Sequence, residues 1–341
     1  MVDLNATRYS DQSPAAEGCI TDSLLALLTH VASSGYRFIT PTPATHQRFL
    51  AHCSVDGGQT LRDIFGWNRG FQTTDATPAL LNAMADADVL LGNGTLRSAV
   101  RIASIDDDLF LHSPYPTSDD ASVFFGPDTY RFVRFVREWC RRAERHAGLY
   151  SKQRPVRILD IGCGSGAGGI AAAKMVSSIG LSYHLTLSDI NPIALHYASI
   201  NAEFARVPAT TVLSDGFQHI EGAFDLIIAN PPYMQDEAQR LYRHGGAQLG
   251  RDLSLRLATE SLAHLAPDGS LMLYTGAAIV NGHDKLLEDL REPLRQSDCT
   301  WSYDEIDPDV FGEELDRPAY RQAERIAAVG LVATRNPFSA V

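Results

Sequence analysis

The chain has 341 residues, 45% of them hydrophobic and 21% charged, so it can bury a substantial core and is expected to form two domains. With 29 Lys and Arg against 41 Asp and Glu, the formal net charge is −12, which argues against a general attraction for nucleic acid or an anionic membrane surface. The five cysteines contain no Cys-x-x-Cys spacing, which disfavours a disulfide framework or a zinc site and predicts a cytoplasmic protein. The sequence has neither a stretch of membrane-spanning length nor paired histidines, so we expect no membrane and no metal partner.

Residues 1–113 carry a pattern of short helices followed by a hairpin. Apolar residues at helical spacing, or a proline in the first turn, predict helices at Leu24 to Val31, after Thr42 and at Pro78. Residues 100–112 then alternate around an aspartate-rich turn, as in a β-hairpin. This order is compatible with a winged helix and with a helical cap that carries a two-stranded ribbon. We expect this smaller N-terminal domain to recognise the substrate.

The remaining chain reads as a linker and a larger α/β domain. Residues 114–127 are rich in proline, serine and aspartate and predict a linker, after which Asp128 or Thr129 caps a long helix. Short apolar runs then alternate with amphipathic helices. Seven strands are predicted, at residues 156–161, 185–188, 210–213, 224–229, 270–274, 300–303 and 326–333. Alternating strands and helices indicate a doubly wound parallel sheet over residues 128–341.

A glycine-rich loop follows the first of these strands, in residues 159–166. Gly162 and Gly164 allow a sharp turn and a close approach of the backbone to a ligand. With Ala167, the loop also satisfies the dinucleotide fingerprint, so by itself it indicates only a nucleotide-like ligand. Asp160, two residues before the first glycine, would repel a pyrophosphate and can accept from an ammonium group, directly or through water. It therefore favours S-adenosylmethionine, which carries an amino-acid head and no phosphate.

The next two strands also end in carboxylates. Asp189 can accept both hydroxyls of a ribose, whichever cofactor binds, although the following Asn191 and Pro192 also form a helix cap. Asp215 can accept from an adenine amine with Phe217 against the ring, or it can be a solvent-exposed turn residue. We favour the first interpretation because ligands of α/β proteins bind at this edge of the sheet.

The fourth strand runs into Asn230-Pro231-Pro232-Tyr233. Two consecutive prolines end the strand and stiffen the backbone, so that carbonyl groups and the Asn230 side chain face outward. Such a site offers acceptors to a planar NH2 group, and Tyr233 can stack on it. Accepting both N–H bonds aligns the nitrogen lone pair for an in-line displacement. An ordinary strand-ending turn is the simpler alternative for this motif taken alone.

Together these residues resemble class I S-adenosylmethionine-dependent methyltransferases over residues 124–335. The resemblance is to the branch with an N-P-P-Y motif, which includes release-factor glutamine N5-methyltransferases and enzymes that methylate amines of RNA and DNA. Residues 125–129, 246–252 and 271–276 also resemble the glutamine-methylating branch. The resemblance implies a seven-stranded Rossmann-like methyltransferase fold with S-adenosyl-L-methionine as the cofactor.

It also implies roles for individual residues. The catalytic residues would be Asn230, Pro231, Pro232 and Tyr233: the asparagine and the first proline carbonyl hold the target nitrogen, and the tyrosine shapes the pocket. The cofactor-binding residues would be Thr129, Asp160, Gly162, Cys163, Gly164, Gly166, Asp189, Ile190, Asp215, Gly216, Phe217 and Asn230.

The substrate follows less directly from the sequence. A macromolecule is expected, with a protein glutamine amide of a release-factor-like partner favoured over an amine of adenine, guanine or cytosine in RNA or DNA. The N-terminal hairpin and an acidic insert at residues 304–316 both depart from the release-factor enzymes. Two other classes remain as alternatives, an NAD-dependent oxidoreductase and a non-catalytic nucleic-acid-binding regulator.

Overall fold

The computed structural model describes residues 14–53, 57–117, 119–143 and 154–336. Its N-terminal part contains helices α1 (Pro14–Ser33), α2 (Pro43–His52) and α3 (Pro78–Asp86). The side chains of Thr42 and Thr77 accept from backbone N–H groups of α2 and α3, and a proline opens each of these helices. The three predicted helices are therefore present, and two of them start with the predicted capping chemistry.

The predicted hairpin is formed by β3 (Arg101–Ile105) and β4 (Asp108–His112), next to a smaller ribbon of β1 (Leu90–Leu91) and β2 (Arg97–Ser98). Every residue of β3 is buried. One face of the hairpin packs into the N-terminal core through Ile102 and Leu111, and the other packs into the core of the α/β part through Ala103 and Phe110. The hairpin is thus buried between two hydrophobic cores. This position fits a helical cap with a ribbon better than a winged helix, whose wing would be exposed.

The C-terminal part is a doubly wound sheet, as predicted. Its strands are β5 (Val156–Ile161), β6 (Tyr183–Asp189), β7 (Ala209–Leu213), β8 (Phe224–Ala229), β9 (Leu265–Val280), β10 (His283–Asp284), β11 (Cys299–Asp307) and β12 (Arg325–Arg335). The main path has the order β11-β12-β9-β8-β5-β6-β7, with β10 paired to β9. The pairs from β9 through β7 are parallel, whereas β12 is antiparallel to both β9 and β11.

This antiparallel edge corrects the expectation of a wholly parallel sheet. A strand can reverse direction after a short connection, whereas a parallel neighbour needs a crossover. The helix between β10 and β11 makes a crossover connection. The segment after β11 instead turns back, so that β12 pairs antiparallel with β11. The predicted strands at residues 300–303 and 326–333 are confirmed in position and lengthened at both ends.

Helices cover both faces of the sheet. They are α4 (Pro127–Ala143), α5 (Ala167–Ser178), α6 (Pro192–Phe204), α7 (Asp252–Ala263) and α8 (Lys285–Gln296). Alternate residues of a strand enter different cores: Ile158 packs with α4 and α5 on one face, and Leu159 packs with α7 and α8 on the other. Parallel strands buried on both faces explain why the predicted strands read as continuous apolar runs.

The predicted linker, residues 114–127, is packed rather than free. Tyr115 donates its backbone N–H to the side chain of Asn68 at 2.9 Å, and the Asn191 amide donates to the carbonyl of Ala121 at 2.7 Å. The segment therefore contacts both the N-terminal part and the sheet. The domain limits of 1–113 and 128–341 stay a prediction. Within the described ranges, no helix is long and apolar enough to cross a membrane.

Candidate active site

A cavity of about 350 Å³ opens at the carboxyl ends of the central parallel strands. Its floor comes from the loops after β5, β6, β7 and β8, where ligands of open α/β sheets bind. Other walls come from the predicted linker and from segments between β8 and β12. This position brings most of the predicted site residues together.

The glycine loop after β5 forms one side of the cavity. Gly162 and Gly164 have φ of +69° and +53°, and a Cβ atom at either position would meet no other protein atom within 4 Å. The backbone N–H groups of Gly162 and Cys163 donate to the Ser188 carbonyl at 2.8 and 2.9 Å, which fixes the loop to β6. Both glycines and Cys163 line the cavity, so bare backbone faces the space that a ligand would fill.

Gly166, also predicted to bind the cofactor, has a different position. It precedes α5 with φ of +78°, and a Cβ there would lie 3.2 Å from the Cβ of Ala198. It does not belong to the cavity wall. Its observed contribution is the close packing of the start of α5 against α6.

Asp160 lies behind the glycine loop rather than in the cavity wall. Its side chain is 1% exposed and accepts from the backbone N–H of Gly169 in α5 at 2.7 Å. Burial raises the pKa of this carboxyl to about 7, and the nearby Asp189 adds to the shift. The structure therefore ties Asp160 to a helix start, and its contact with a ligand ammonium group stays a prediction.

Asp189 ends β6 and borders the cavity. Its two carboxylate oxygens accept from the backbone N–H groups of Gly164 and Asn191, each at 2.9 Å. Each oxygen keeps further acceptor capacity, so a ribose diol can still bind. Burial raises the pKa of Asp189. The neighbouring Ile190 is 50% exposed and lines the cavity, where it offers an apolar platform.

The end of β7 matches the prediction in part. Asp215 and Gly216 line the cavity, and Asp215 forms an ion pair with Arg256 at 2.7 Å. Phe217 does not line it, because its ring stacks on His264 with centroids 4.3 Å apart. The contact of Phe217 with an adenine ring therefore stays a prediction that the structure does not support directly.

Asn230, Pro231 and Pro232 line the cavity beside the glycine loop. Among the residues that the structure describes, none forms a hydrogen bond with the Asn230 side chain, so its amide is available to a ligand. The backbone after the motif is held by Met234, whose N–H donates to the Arg243 carbonyl at 3.0 Å and whose carbonyl accepts from Gly245 at 2.8 Å.

Glycines bring the loop between β8 and α7 close against this motif. A Cβ at Gly245 would lie 2.6 Å from the Pro232 carbonyl oxygen, and one at Gly250 would overlap the Tyr233 carbonyl. Only residues without a side chain allow this approach. The packing adds to the stiffness that the prolines give to the acceptor groups.

Tyr233 is held from several sides. Its hydroxyl donates to Asp128 at 2.6 Å, and the hydroxyl of Tyr274 donates to the other oxygen of the same carboxylate at 2.8 Å. The ring lies directly over Gly276, where a Cβ would collide with it. Burial raises the pKa of Asp128, and the two hydroxyls and Arg131 oppose that shift. Asp128 was expected to cap a helix; it lies in the first turn of α4 and fixes the motif tyrosine.

Sequence reasoning missed several cavity residues. The roof contains Ser122, Val123 and Phe124 of the predicted linker, and Leu241 and Tyr242 of the loop after β8. The rings of Phe124 and Tyr242 stack with centroids 6.2 Å apart. Thr129, which was predicted, also lines the cavity. Phe311 joins from the acidic insert. These residues have no shared motif, so only the fold brings them together.

The geometry fits S-adenosylmethionine. The open glycine backbone, the Asp189 carboxylate and the exposed Ile190 surround one cavity, and the free Asn230 amide lies in the same wall. In the described ranges, no group of three or more His, Cys, Asp or Glu residues is arranged to hold a metal ion.

Comparison with known proteins gives matches over the C-terminal part. Residues 149–292 match the methyltransferase small domain family. A release factor glutamine methyltransferase of Koribacter versatilis is 29% identical over 199 residues, which cover 54% of this chain and 62% of that protein. A ribosomal RNA small subunit methyltransferase C of Haemophilus ducreyi is 38% identical over 79 residues, 23% of either chain. The chain thus spans less than two thirds of the length of these curated relatives.

Among solved structures, the ribosomal protein L11 methylase of Lactobacillus delbrueckii subsp. bulgaricus is similar, with a TM-score of 0.39 and 17% identity. The similarity covers 61% of this chain and 80% of that protein. The glycine loop, the strand-end acids and the Asn230–Tyr233 motif all lie within residues 149–292. The resemblance that the sequence predicts is confirmed over this segment, which matches the methyltransferase small domain family.

Proposed function

We propose that this protein is an S-adenosylmethionine-dependent N-methyltransferase that acts on a planar amide or exocyclic amine of a macromolecule. The main observation in support is that the unpartnered Asn230 amide lines the same cavity as the open backbone of Gly162 and Gly164. The cofactor-binding roles of the predicted residues, and the catalytic roles of Asn230 to Tyr233, are part of this proposal.

S-adenosylmethionine, held by the glycine loop and Asp189, would supply an electrophilic methyl group, and its transfer to the target nitrogen would exchange an S–C bond for a C–N bond with loss of a nitrogen proton to water. The protein contributes orientation. The Asn230 side-chain oxygen and the Pro231 carbonyl accept the two N–H bonds of the target, which directs its lone pair along the reaction axis. Tyr233, fixed by Asp128, bounds the space for the planar group.

The charges around the cavity support a neutral acceptor. Arg243 pairs with Glu314 and Asp236, and Arg256 pairs with Asp215. Arg243 and Arg256 are the Lys or Arg residues in the described part of the cavity wall, and each already pairs with a carboxylate. A nucleobase target brings phosphates that need cations. A glutamine amide brings no charge, so we favour a protein glutamine as the acceptor.

The relatives support both acceptor classes. The release factor glutamine methyltransferase match extends over 199 residues, whereas the ribosomal RNA small subunit methyltransferase C matches extend over 79 to 131 residues. A nucleobase amine in RNA or DNA is therefore the second candidate. Residues 1–113 are proposed to recognise the macromolecule in either case, in the cytoplasm.

The test is methyl transfer from radiolabelled S-adenosylmethionine to purified release factor and to small ribosomal subunits, followed by protease or nuclease digestion. We expect label in release factor that protease releases. Asn230→Ala should lose about a hundredfold or more in rate while cofactor affinity is retained, by analogy with the loss of one transition-state hydrogen bond. Gln296→Ala, which removes an amide on α8 outside the cavity, is the control. Full activity of Asn230→Ala would refute its role, and binding of NAD in place of S-adenosylmethionine would refute the cofactor.

A further inference from the structure

We infer that Phe311, which the acidic insert at residues 304–316 brings into the cavity, forms the wall of the acceptor pocket and determines its specificity for a planar group. The inference rests on the proposed N-methyltransferase function and names the element that selects the substrate.

The position of Phe311 places it at the acceptor end of the cavity. Phe311 lines the same cavity as Asn230 and meets Tyr233 edge to face, with ring centroids 6.0 Å apart and planes at 68°. Tyr233 belongs to the motif after β8 that is proposed to hold the target nitrogen, whereas the glycine loop and Asp189 lie at the ends of β5 and β6. A planar acceptor that reaches Asn230 therefore passes beside these two rings.

The backbone of Phe311 has a conformation that only its surroundings can maintain. Its φ is +55°, in the left-handed region that bulky residues rarely occupy. Such strained positions persist where neighbouring contacts over-determine them, and they concentrate at functional sites. The carbonyl of Phe311 accepts from the N–H of Glu314 at 2.8 Å, and Val310, just before it, donates to the Ile326 carbonyl at 2.8 Å.

Ion pairs anchor the insert on both sides of Phe311. Before it, Asp307 pairs with Arg131 at 2.9 Å, and Arg131 also contacts Asp128, the residue that fixes Tyr233. After it, the buried Glu314 pairs with Arg243 of the loop next to the motif and with Arg317 at 2.7 Å. The acids of the insert therefore serve as anchors that set Phe311 against Tyr233, and the strain at Phe311 is held by these contacts.

The chemistry of the wall selects planar neutral groups. An aromatic face or edge packs against an amide or a heteroaromatic amine. The Phe311 ring, which meets Tyr233 edge to face, lines the cavity that such a group would enter. A flexible charged side chain gains no comparable contact there. We expect loss of the Phe311 ring to weaken binding of a planar acceptor about tenfold.

The experiment compares two ligands that share the cofactor part. One is S-adenosylhomocysteine; the other is an S-adenosyl analogue whose sulfur or equivalent nitrogen carries a short chain ending in a carboxamide. Calorimetry with the full-length protein gives the affinity gain that the carboxamide adds. We expect the carboxamide to increase the affinity of the wild type and of Phe311→Tyr by the same factor. In Phe311→Ala we expect that factor to be about tenfold smaller. S-adenosylhomocysteine should bind all variants equally, which also shows that they are folded.

Trp301→Ala is the matched control, because Trp301 is a 42% exposed aromatic residue on β11 outside the cavity wall. If the wild type gains nothing from the carboxamide, the proposed function is overturned, and the acceptor wall with it. If the wild type and Asn230→Ala differ in this gain but Phe311→Ala keeps the full wild-type value, the function stands and the role of Phe311 is refuted. An equal loss in Trp301→Ala would also refute it.

Discussion

Two tyrosines that share one carboxylate provide a direct test of how the motif is held. The hydroxyls of Tyr233 and Tyr274 donate to opposite oxygens of Asp128 at 2.6 and 2.8 Å. Tyr233→Phe and Tyr274→Phe each remove one hydroxyl and leave the ring in place. Since only Tyr233 belongs to the cavity wall, the two variants separate stability from catalysis.

The expected cost in stability is similar for both variants. Asp128 is 5% exposed, so a lost donor is not replaced by bulk water. A hydrogen bond to a charged group contributes about 1.5–3 kcal/mol, and we expect each substitution to lower the free energy of unfolding by about 2 kcal/mol. Each loss also raises the pKa of Asp128 further, because both hydroxyls favour its charged form. Arg131, 3.3 Å away, keeps part of the compensation.

The expected effect on methyl transfer differs. In Tyr233→Phe the ring beside the acceptor is no longer fixed by a hydrogen bond, and we expect kcat to fall about tenfold with unchanged cofactor affinity. In Tyr274→Phe we expect kcat within about twofold of the wild type, because Tyr233 still donates to Asp128. Thermal unfolding and steady-state kinetics on purified protein measure both effects. Equal losses of kcat in the two variants, or a greater loss in Tyr274→Phe, would refute the assignment of Asp128 and Tyr233 as a positioning pair.

Two further predictions concern the cofactor side. Asp160, with a pKa raised to about 7, binds its proton more tightly in the folded than in the unfolded protein, so its contribution to stability falls as pH rises from about 4 to 7, by up to about 4 kcal/mol. The melting temperature of Asp160→Asn should therefore rise relative to the wild type between pH 5 and pH 8; a constant difference would contradict the shift. Gly164→Val should reduce S-adenosylmethionine affinity at least about tenfold, because the valine side chain would enter the cavity. Gly180→Val is the control and should leave this affinity unchanged, because Gly180 has a similar φ of +80° and open surroundings but lies outside the cavity wall. Equal S-adenosylmethionine affinities of the two variants in calorimetry would refute the proposal that the glycine loop holds the cofactor.

The parts of the site that the sequence predicts are those encoded within a few residues. An apolar run followed by glycines or an acid identifies a strand and its carboxyl end together, and the carboxyl ends of neighbouring parallel strands meet at one edge. Gly162, Gly164, Asp189, Asp215 and Asn230 were found in this way and do border one cavity. The spacing alone does not fix where each side chain points: the ring of Phe217, predicted to face the cofactor, stacks on His264.

The parts that the sequence could not predict depend on distant contacts. Asp128 and Tyr233 are 105 residues apart, so a first-turn aspartate was read as a helix cap rather than as an acceptor. The proline-rich segment at 114–127 has the composition of a linker, yet it roofs the cavity because Tyr242 reaches Thr117 with a hydrogen bond of 2.7 Å. Composition reports the preference for turns, and it does not report what the turns pack against.

The two halves of the cavity are held by different forces, which makes them separable. The proposed cofactor side contains strand ends tied by backbone hydrogen bonds, such as those from Gly162 and Cys163 to the Ser188 carbonyl. The proposed acceptor side depends in addition on side-chain ion pairs between its segments, such as Arg243 with Glu314 and Arg240 with Asp236. In these, the Arg240 hydrogen bonds lower the pKa of Asp236 to about 2, so that its charge persists in mild acid. Backbone contacts do not depend on side-chain identity, whereas an ion pair changes with either partner. Substitutions in the segments around Arg243 and Phe311 can therefore alter the acceptor while the cofactor cradle keeps its geometry.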